Sequence, residues 1–175
     1  MPDDTSGGVQ RFAYVGPEEV RARWADQPPG RPVRSPADVR AWIEAGQSRD
    51  ADGWFVATFV VDEDGLLRIE DYGYEHVACA GGKPVLAAGV AWFDDDDGLV
   101  VEAISNQSTG FCPDPSCWPA VARALDGAGL SHPGRFTEAF VFRRCPQCGE
   151  RNLVKDDWFV CGLCDAPLPA HWNFS

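Results

Sequence analysis

The amino-acid sequence predicts an α+β protein built on a twisted, mostly antiparallel sheet of five or six strands, with helices packed on one side. Two strand–turn–strand patterns lie in the middle of the chain, and helix start signals lie on both sides of them. Two Cys-x-x-Cys pairs follow and predict a C-terminal zinc ribbon. We therefore expect residues 1–10 to form a flexible tail, residues 11–142 the α+β domain, and residues 143–175 the zinc ribbon and a C-terminal tail.

Two hairpins account for four of the predicted strands. Residues 54–61 and 66–72 are rich in β-branched and aromatic side chains and flank an Asp-Glu-Asp-Gly turn. Residues 85–93 and 99–105 repeat this arrangement around the run Asp94 to Asp97. That run lacks the alternating ligand positions and the distal glutamate of an EF-hand calcium loop, so we interpret it as a solvated hairpin tip. A further strand, residues 136–143, is expected to lead into the first cysteine pair.

Helices are predicted at three places. The first begins after Gly16 and is followed by a breaker cluster, residues 27–32, with the sequence Gln-Pro-Pro-Gly-Arg-Pro. The second has Ser35 at its N-cap and Pro36 at its first position. The third opens near Ser116 and ends at the glycines that follow its apolar stripe.

The charge balance restricts the partners of this protein. The chain carries 27 acidic and 15 basic residues, for a net charge of −12. Proteins that bind nucleic acid gain most of their affinity from Lys and Arg placed on phosphates, so an acidic surface argues against nucleic acid and against anionic membranes. Arg143, Arg144 and Arg151 are the candidates for a local basic patch.

The sequence also indicates a cellular compartment. It has no run of 18 or more apolar residues, and its acidic start, Met1-Pro2-Asp3-Asp4, differs from a signal peptide. Seven cysteines, four of them at metal-ligand spacing, suit a reducing compartment better than a disulfide framework. We expect a cytoplasmic protein with no membrane segment.

The strongest motif is a metal site. Cys145, Cys148, Cys161 and Cys164 form the pattern C-x2-C-x12-C-x2-C, in which each pair of thiolates can reach one metal ion through a tight turn. Four thiolates in a tetrahedral shell favour one zinc ion, with Gly149 and Gly162 easing the two turns and residues 152–154 pairing with residues 158–160. Because protein ligands fill all four positions, we expect the zinc to be structural. A rubredoxin-like iron site and four ordinary buried or redox cysteines are the alternatives.

Two further segments place polar or small residues at the ends of apolar strands. They are residues 76–89, His-Val-Ala-Cys-Ala-Gly-Gly-Lys-Pro-Val-Leu-Ala-Ala-Gly, and residues 105–113, Ser-Asn-Gln-Ser-Thr-Gly-Phe-Cys-Pro. Together they resemble a module of plant IQ-motif calmodulin-binding proteins and bacterial toxin-like proteins, whose pattern reads H-S-S-F-L-A-G-K-P-V-x-A-A-G-E and then S-N-K-S-G-H-Y-x-P. The resemblance covers about residues 54–115 and implies a shared fold and surface. Val77-Ala78 and Thr109-Gly110 depart from its Ser-Ser and Gly-His, and no IQ helix is visible.

Four residues of these segments are candidates for a catalytic site. His76, Asn106, Ser108 and Cys112 supply an imidazole, an amide, a hydroxyl and a thiol, which are the parts of a site with a cysteine nucleophile. The alternative is structural, with a histidine at a strand end and Asx and Ser/Thr turns after it. Cys112 and Cys117 also admit a disulfide, or a second metal site completed by His76 and Cys79.

Two functions remain open from the sequence. In the first, the protein is a cytosolic zinc-binding module that acts through its ribbon and sheet-edge loops on a protein partner or a small-molecule ligand. In the second, it is a small enzyme for group transfer or nucleotide handling that uses the loops from His76 to Pro113, with Cys112 as nucleophile. Gly81-Gly82-Lys83 suits an anion in that case, although it lacks the spacing of a P-loop.

Overall fold

The computed structural model describes residues 8–174, so most of the predicted flexible tail lies outside the described residues. Within this range the chain forms a five-stranded antiparallel sheet, a separate two-stranded hairpin and four α-helices, which confirms the α+β class. The helices are α1 (Glu18–Trp24), α2 (Pro36–Glu44), α3 (His76–Cys79) and α4 (Trp118–Gly127). The strands are β1 (Arg31–Val33), β2 (Phe55–Val61), β3 (Leu67–Asp71), β4 (Ala87–Asp94), β5 (Val100–Ser105), β6 (Val141–Arg144) and β7 (Arg151–Val154).

The large sheet has the strand order β1-β3-β2-β4-β5, and every neighbouring pair is antiparallel. Both predicted hairpins are present, as β2–β3 and β4–β5. The edge strand β1 lies where the sequence predicted only a breaker. Pro32 is tolerated there because an edge strand leaves one side of its backbone unpaired.

The two faces of the sheet are covered by different helices. Phe59 and Phe93 lie on the face that also receives α2, since Trp42 of that helix contacts Phe93 edge-on at 6.2 Å between ring centroids. Helix α4 lies over the same face and packs the buried Val121 and Leu125 against the core. The prediction of helices on one side thus holds for the two longest helices. The short helix α3, with α1 packed on it, lies over the opposite face, near Thr58.

The last predicted strand is shorter than the sequence indicates, because its first half pairs irregularly with β5. Thr137 exchanges hydrogen bonds with the backbone of Ile104, accepting from its N–H at 2.8 Å and donating to its carbonyl at 3.0 Å. A parallel bridge joins Ser105 to Glu138. Regular pairing begins only at Val141, where the chain enters the hairpin with β7.

The ribbon hairpin pairs differently from the prediction. Residues 152–154 pair with β6 across the first cysteine pair, and not with residues 158–160. Residues 155–158 instead form a tight turn in which the Trp158 N–H donates to the Lys155 carbonyl, with positive φ at Asp156 and Asp157 as in a type I′ turn. The chain then returns through a bridge between Val160 and Pro167.

The run Asp94 to Asp97 is an exposed hairpin tip that also holds neighbouring arginines. Asp95 forms an ion pair with Arg40 at 3.0 Å, and Asp96 forms one with Arg49 at 2.9 Å. The tip therefore links the β4–β5 hairpin to α2 and the segment that follows it. Exposed ion pairs of this kind contribute little to the free energy of folding. No helix in residues 8–174 is long and apolar enough to cross a membrane.

Candidate functional site

The four cysteines of the predicted metal site converge in the ribbon. The Sγ atoms of Cys145, Cys148, Cys161 and Cys164 all lie within 4.8 Å of one another. The distances Cys145 Sγ–Cys164 Sγ and Cys148 Sγ–Cys161 Sγ are both 3.6 Å. Zinc–sulfur bonds of about 2.3 Å in a tetrahedron require sulfurs about 3.8 Å apart, whereas a disulfide requires about 2.05 Å. The arrangement is that of four free thiols around one metal position.

Two turns of matching geometry hold the four sulfurs. In the first, the Gly149 N–H donates to the Cys145 carbonyl at 2.9 Å, and in the second the Asp165 N–H donates to the Cys161 carbonyl at 3.0 Å. Both Gly149 and Asp165 have positive φ, at 79° and 61°. The residue that eases the second turn is thus Asp165, and Gly162, which the sequence suggested for this role, has no positive φ.

Hydrogen bonds from N–H groups to sulfur support the thiolate form of Cys161. The Leu163 N–H donates to its Sγ at 3.4 Å, and the Asn152 side-chain amide donates at 3.5 Å. Burial opposes ionisation, but these N–H groups and that of Cys164 outweigh it and lower the pKa of Cys161 to about 6. Asn152 is itself oriented by the Gly162 N–H, which donates to its Oδ1 at 2.9 Å. These N–H groups therefore fix the orientation of the Cys161 sulfur within the cysteine cluster.

The hydrophobic interior of the ribbon is small and includes three of the four clustered cysteines. Besides Cys145, Cys161 and Cys164, it consists of five side chains, Val141, Val154, Phe159, Ala166 and Leu168. A cluster of this size buries too little apolar area to hold a fold alone. The cysteine sulfurs therefore make up a substantial part of the interior of the ribbon.

The candidate basic patch is occupied by contacts within the protein. Arg143 is buried, and its guanidinium donates to the carbonyls of Phe142, Pro169 and Ala170 at 2.7–3.0 Å. Arg144 donates to the Gly149 carbonyl, and Arg151 donates to the Thr109 carbonyl. These arginines fasten the ribbon, the C-terminal segment and the loop after β5 together, which leaves them poorly placed to bind phosphate.

The candidate catalytic residues divide between two locations. Asn106 is fully buried and bridges two segments. Its Nδ2 donates to the carbonyls of Pro113 (3.0 Å) and Phe140 (2.8 Å), while its Oδ1 accepts from the Phe140 N–H at 2.6 Å. His76 and Ser108 line a depression beside the sheet that Asn106 and Cys112 do not line. Of these candidates, His76 and Ser108 thus line one cavity, and Asn106 has a structural role.

Cys112 lies in a turn beneath the C-terminal segment. It has a positive φ of 45°, its Sγ donates to the Thr109 carbonyl at 3.4 Å, and its carbonyl accepts from Trp172 Nε1 at 2.8 Å. Burial raises the pKa of its thiol to about 11, although Arg151 and Arg144 act in the opposite direction. Burial also raises the pKa of Cys117 to about 12. Thiols of this kind stay protonated near neutral pH and are weak nucleophiles.

The cysteines outside the ribbon do not assemble a second site among the described residues. Cys79, Cys112 and Cys117 are all buried and free, so the alternative of a Cys112–Cys117 disulfide is absent here. Within residues 8–174 the ribbon cysteines are the one group of potential ligands close enough to share a metal ion. Cys79 packs in the core behind Gly30, where it acts as a small apolar side chain.

The Gly81-Gly82-Lys83 segment does not present free backbone donors. The N–H groups of Gly81, Gly82 and Lys83 donate to carbonyls of α3 and of Ala80, and they cap the end of that helix. A cavity of about 460 Å³ lies beside them, but Asp26, Asp62, Glu63 and Asp64 line it as well. The backbone and charge are therefore unsuited to the anion that the sequence suggested.

Sequence reasoning missed several residues that shape the sites. Asn152 and Asp165 complete the ribbon, and Trp172 and Asn173 attach the C-terminal segment to Cys112 and Arg144. The position of Asp165, four residues after Cys161 as Gly149 is after Cys145, is the one signal that the sequence offers for them.

Comparisons with known proteins found no matching family model, no matching curated protein and no matching solved structure. The resemblance of residues 54–115 to the IQ-motif and toxin-like module therefore remains a prediction.

Proposed function

We propose that this protein is a zinc-binding module, in which one structural zinc ion at Cys145, Cys148, Cys161 and Cys164 holds the ribbon in a shape that binds a protein partner. The observation that carries the proposal is the set of four sulfurs within 4.8 Å, with every position of a tetrahedral shell supplied by the chain. A site closed in this way leaves no open position for water or substrate, which favours a structural role.

Zinc is favoured over iron by its preference for tetrahedral thiolate shells in paired Cys-x-x-Cys turns. The two metals are distinguishable, because iron thiolate sites absorb visible light and zinc sites do not. Purified protein should therefore be colourless and contain one zinc ion per chain by elemental analysis. Iron at that stoichiometry with visible absorption would overturn the choice of metal.

The exposed surface of the ribbon supports a binding role. Trp158 is 70% exposed and Leu163 is 68% exposed, a large apolar exposure for so small a unit. Trp172 is not part of this exposed surface, because it packs against Phe12 at 5.3 Å between ring centroids. Asp156, Asp157 and Asp165 are exposed on the same ribbon. A partner with an apolar patch edged by basic residues is complementary to this surface.

The metal role is tested by replacing one ligand. We expect Cys161→Ser to lose zinc stoichiometrically and to expose the ribbon to proteolysis, because three of the eight side chains in its interior are ligands. Cys117→Ser is the matched control, since it removes a buried cysteine outside the ribbon and should retain one zinc ion. A Cys161→Ser protein with full zinc content would refute the assignment.

The binding role is tested by comparing surface variants in quantitative pulldowns from native lysate. Trp158→Ala and Leu163→Ser should reduce recovery of a stoichiometric partner while zinc content stays unchanged, because both side chains are exposed. Tyr72→Ala, which removes a comparably exposed aromatic side chain from the main domain, is the control. Equal recovery by all variants would show that the ribbon surface is not the binding surface.

A further inference from the structure

A depression of about 270 Å³ lies on the face of the sheet opposite α2 and α4. Its walls come from β2, β4, the turn after β3, the start of α3 and the loop after β5. The lining residues are Thr58, Tyr72, Gly73, Tyr74, His76, Val90, Gln107, Ser108 and Thr109. Its size is close to the lower end of cavities that bind small molecules, roughly 300 Å³.

The histidine in this depression has a defined tautomer. His76 Nε2 lies 2.8 Å from the Gly89 carbonyl oxygen, which is an acceptor, so Nε2 carries the proton. Burial lowers the pKa of His76 and outweighs this hydrogen bond, so the ring is neutral near pH 7 and Nδ1 is an acceptor. Nδ1 has no partner among the described residues, and no buried side-chain nitrogen or oxygen lacks one. Because His76 lines the depression, Nδ1 is the ring atom with capacity left to accept a hydrogen bond there.

The hydroxyl groups around His76 have free hydrogen-bonding capacity as well. Ser108 Oγ accepts from the Phe111 N–H at 3.3 Å, which leaves its proton available for donation. Thr58 Oγ1 donates to the Tyr74 carbonyl at 3.3 Å, which leaves its lone pairs available for acceptance. Gln107 is exposed and adds an amide at the rim. Ser108 and Thr58 are almost fully buried, so Gln107 is the most accessible of these groups, and the depression offers a histidine acceptor beside it.

Two tyrosines give the depression an aromatic rim. Tyr72 is 66% exposed and Tyr74 is 50% exposed, and the turn between them is closed by the Tyr74 N–H donating to the Asp71 carbonyl at 3.0 Å. Exposed aromatic faces next to hydrogen-bonding groups are suited to stacking on a ring. Among the lining residues none carries a fixed charge, which excludes the strong ion pairs that a charged ligand would need.

We propose that this depression binds a neutral ligand that combines an aromatic ring with hydroxyl or amino hydrogen-bond donors, of the chemical class of nucleosides. The ring stacks on the tyrosine rim, and a donor of the ligand is accepted by His76 Nδ1. The lining residues include no residue of the ribbon, although Arg151 of the ribbon donates a hydrogen bond to the carbonyl of Thr109, so the binding tests use the zinc-loaded protein.

The first test is a titration of the zinc-loaded protein with adenosine, guanosine, cytidine and uridine, in which binding is measured by ligand-observed NMR. Glucose serves as a hydroxyl-rich comparison without an aromatic ring. We expect saturable binding of at least one nucleoside and about tenfold weaker binding by Tyr74→Ala, from the loss of one stacking contact. Leu153→Ala is the control, since it removes an exposed apolar side chain of the ribbon that lies outside the depression and should leave the affinity unchanged.

A second measurement follows the histidine directly. Long-range ¹H–¹⁵N spectra of the imidazole should show His76 with Nε2 protonated and Nδ1 bare, and saturating nucleoside should shift the Nδ1 resonance. Absence of saturable nucleoside binding up to about 10 mM would overturn the proposal. Binding that Tyr74→Ala leaves unchanged, an unmoved Nδ1 resonance at saturation, or glucose binding as tightly as the nucleosides would overturn it equally.

Discussion

Asn106 should be one of the most stabilising polar residues of the fold, and its removal gives a quantitative test. Its side chain makes three hydrogen bonds, to Pro113 and twice to Phe140, in a fully buried position. With a net contribution of about 0.5–1.5 kcal/mol per bond, Asn106→Leu should lower the free energy of unfolding by about 2–4 kcal/mol. The two carbonyls and the Phe140 N–H would remain buried without their partner, so the loss of stability should lie toward the upper end of this range.

The assay is urea denaturation of the zinc-loaded protein, in which unfolding is monitored by tryptophan fluorescence. Gln107→Ala is the matched control, because the neighbouring side chain is exposed and should change the free energy of unfolding by less than about 0.5 kcal/mol. Asn106→Asp adds a sharper comparison. In this variant a carboxylate would face the carbonyl oxygens of Pro113 and Phe140, so its free energy of unfolding should be lower than that of Asn106→Leu at neutral pH. Acidification should restore part of this stability, because the protonated acid can again donate a hydrogen bond to a carbonyl oxygen.

A loss of less than about 1 kcal/mol in the free energy of unfolding of Asn106→Leu, with an unchanged denaturant slope, would refute this stabilising role of Asn106. That result would mean that the loop after β5 and the segment before β6 are held by other contacts. It would also reopen a functional role for Asn106, because a buried amide that does not stabilise the fold needs another explanation.

Three further predictions follow from individual contacts. Gly89→Ala should destabilise the protein by about 2–3 kcal/mol or more, since a Cβ atom there would lie 1.8 Å from the Ser105 carbonyl oxygen. Gly127→Ala is the control and should be neutral or stabilising, because a Cβ atom at Gly127 meets no atom within 4 Å. Equal melting temperatures for the two variants would contradict the prediction. Burial lowers the pKa of His76, so the contribution of the neutral ring to stability is complete above about pH 6.5 and is lost as the pH falls from there towards the folded-state pKa. The wild-type protein should therefore lose more stability than His76→Gln between about pH 7.5 and 5.5. Parallel losses for the two proteins in urea titrations would count against a buried neutral ring. Cys112, with its thiol pKa raised to about 11, should alkylate slowly at about pH 8 in native protein and rapidly in denaturant, as mapped by mass spectrometry; rapid native modification would instead restore it as a candidate nucleophile.

Local patterns in the sequence were sufficient to predict the central hairpins and the clustering of the four ribbon cysteines. Runs of β-branched and aromatic residues favour strands, and Cys-x-x-Cys favours a turn that brings two sulfurs together. These features depend on residues close to one another in the chain. The edge strand β1 and the register of β6 with β7 depend on pairing with distant segments, so local propensity indicated a breaker in one case and the wrong partner in the other.

The candidate catalytic group shows the same division. The sequence placed His76, Asn106, Ser108 and Cys112 in two loops, and their residue types alone permitted a cysteine nucleophile. The structure buries the Cys112 thiol and commits Asn106 to backbone groups of two other segments. It leaves His76 and Ser108 together in a depression with the tyrosine rim.

The sequence by itself thus determined the α+β class, the two hairpins and which four cysteines come together as potential metal ligands, because each is encoded by short-range spacing. The tertiary structure alone decided which polar groups are used up inside the molecule and which remain open to a ligand. That distinction depends on burial and on hydrogen bonds between segments more than 30 residues apart, such as Asn106 with Phe140 and Trp172 with Cys112. Desolvation and partner geometry, which no linear spacing records, then set whether a thiol or an imidazole is chemically available.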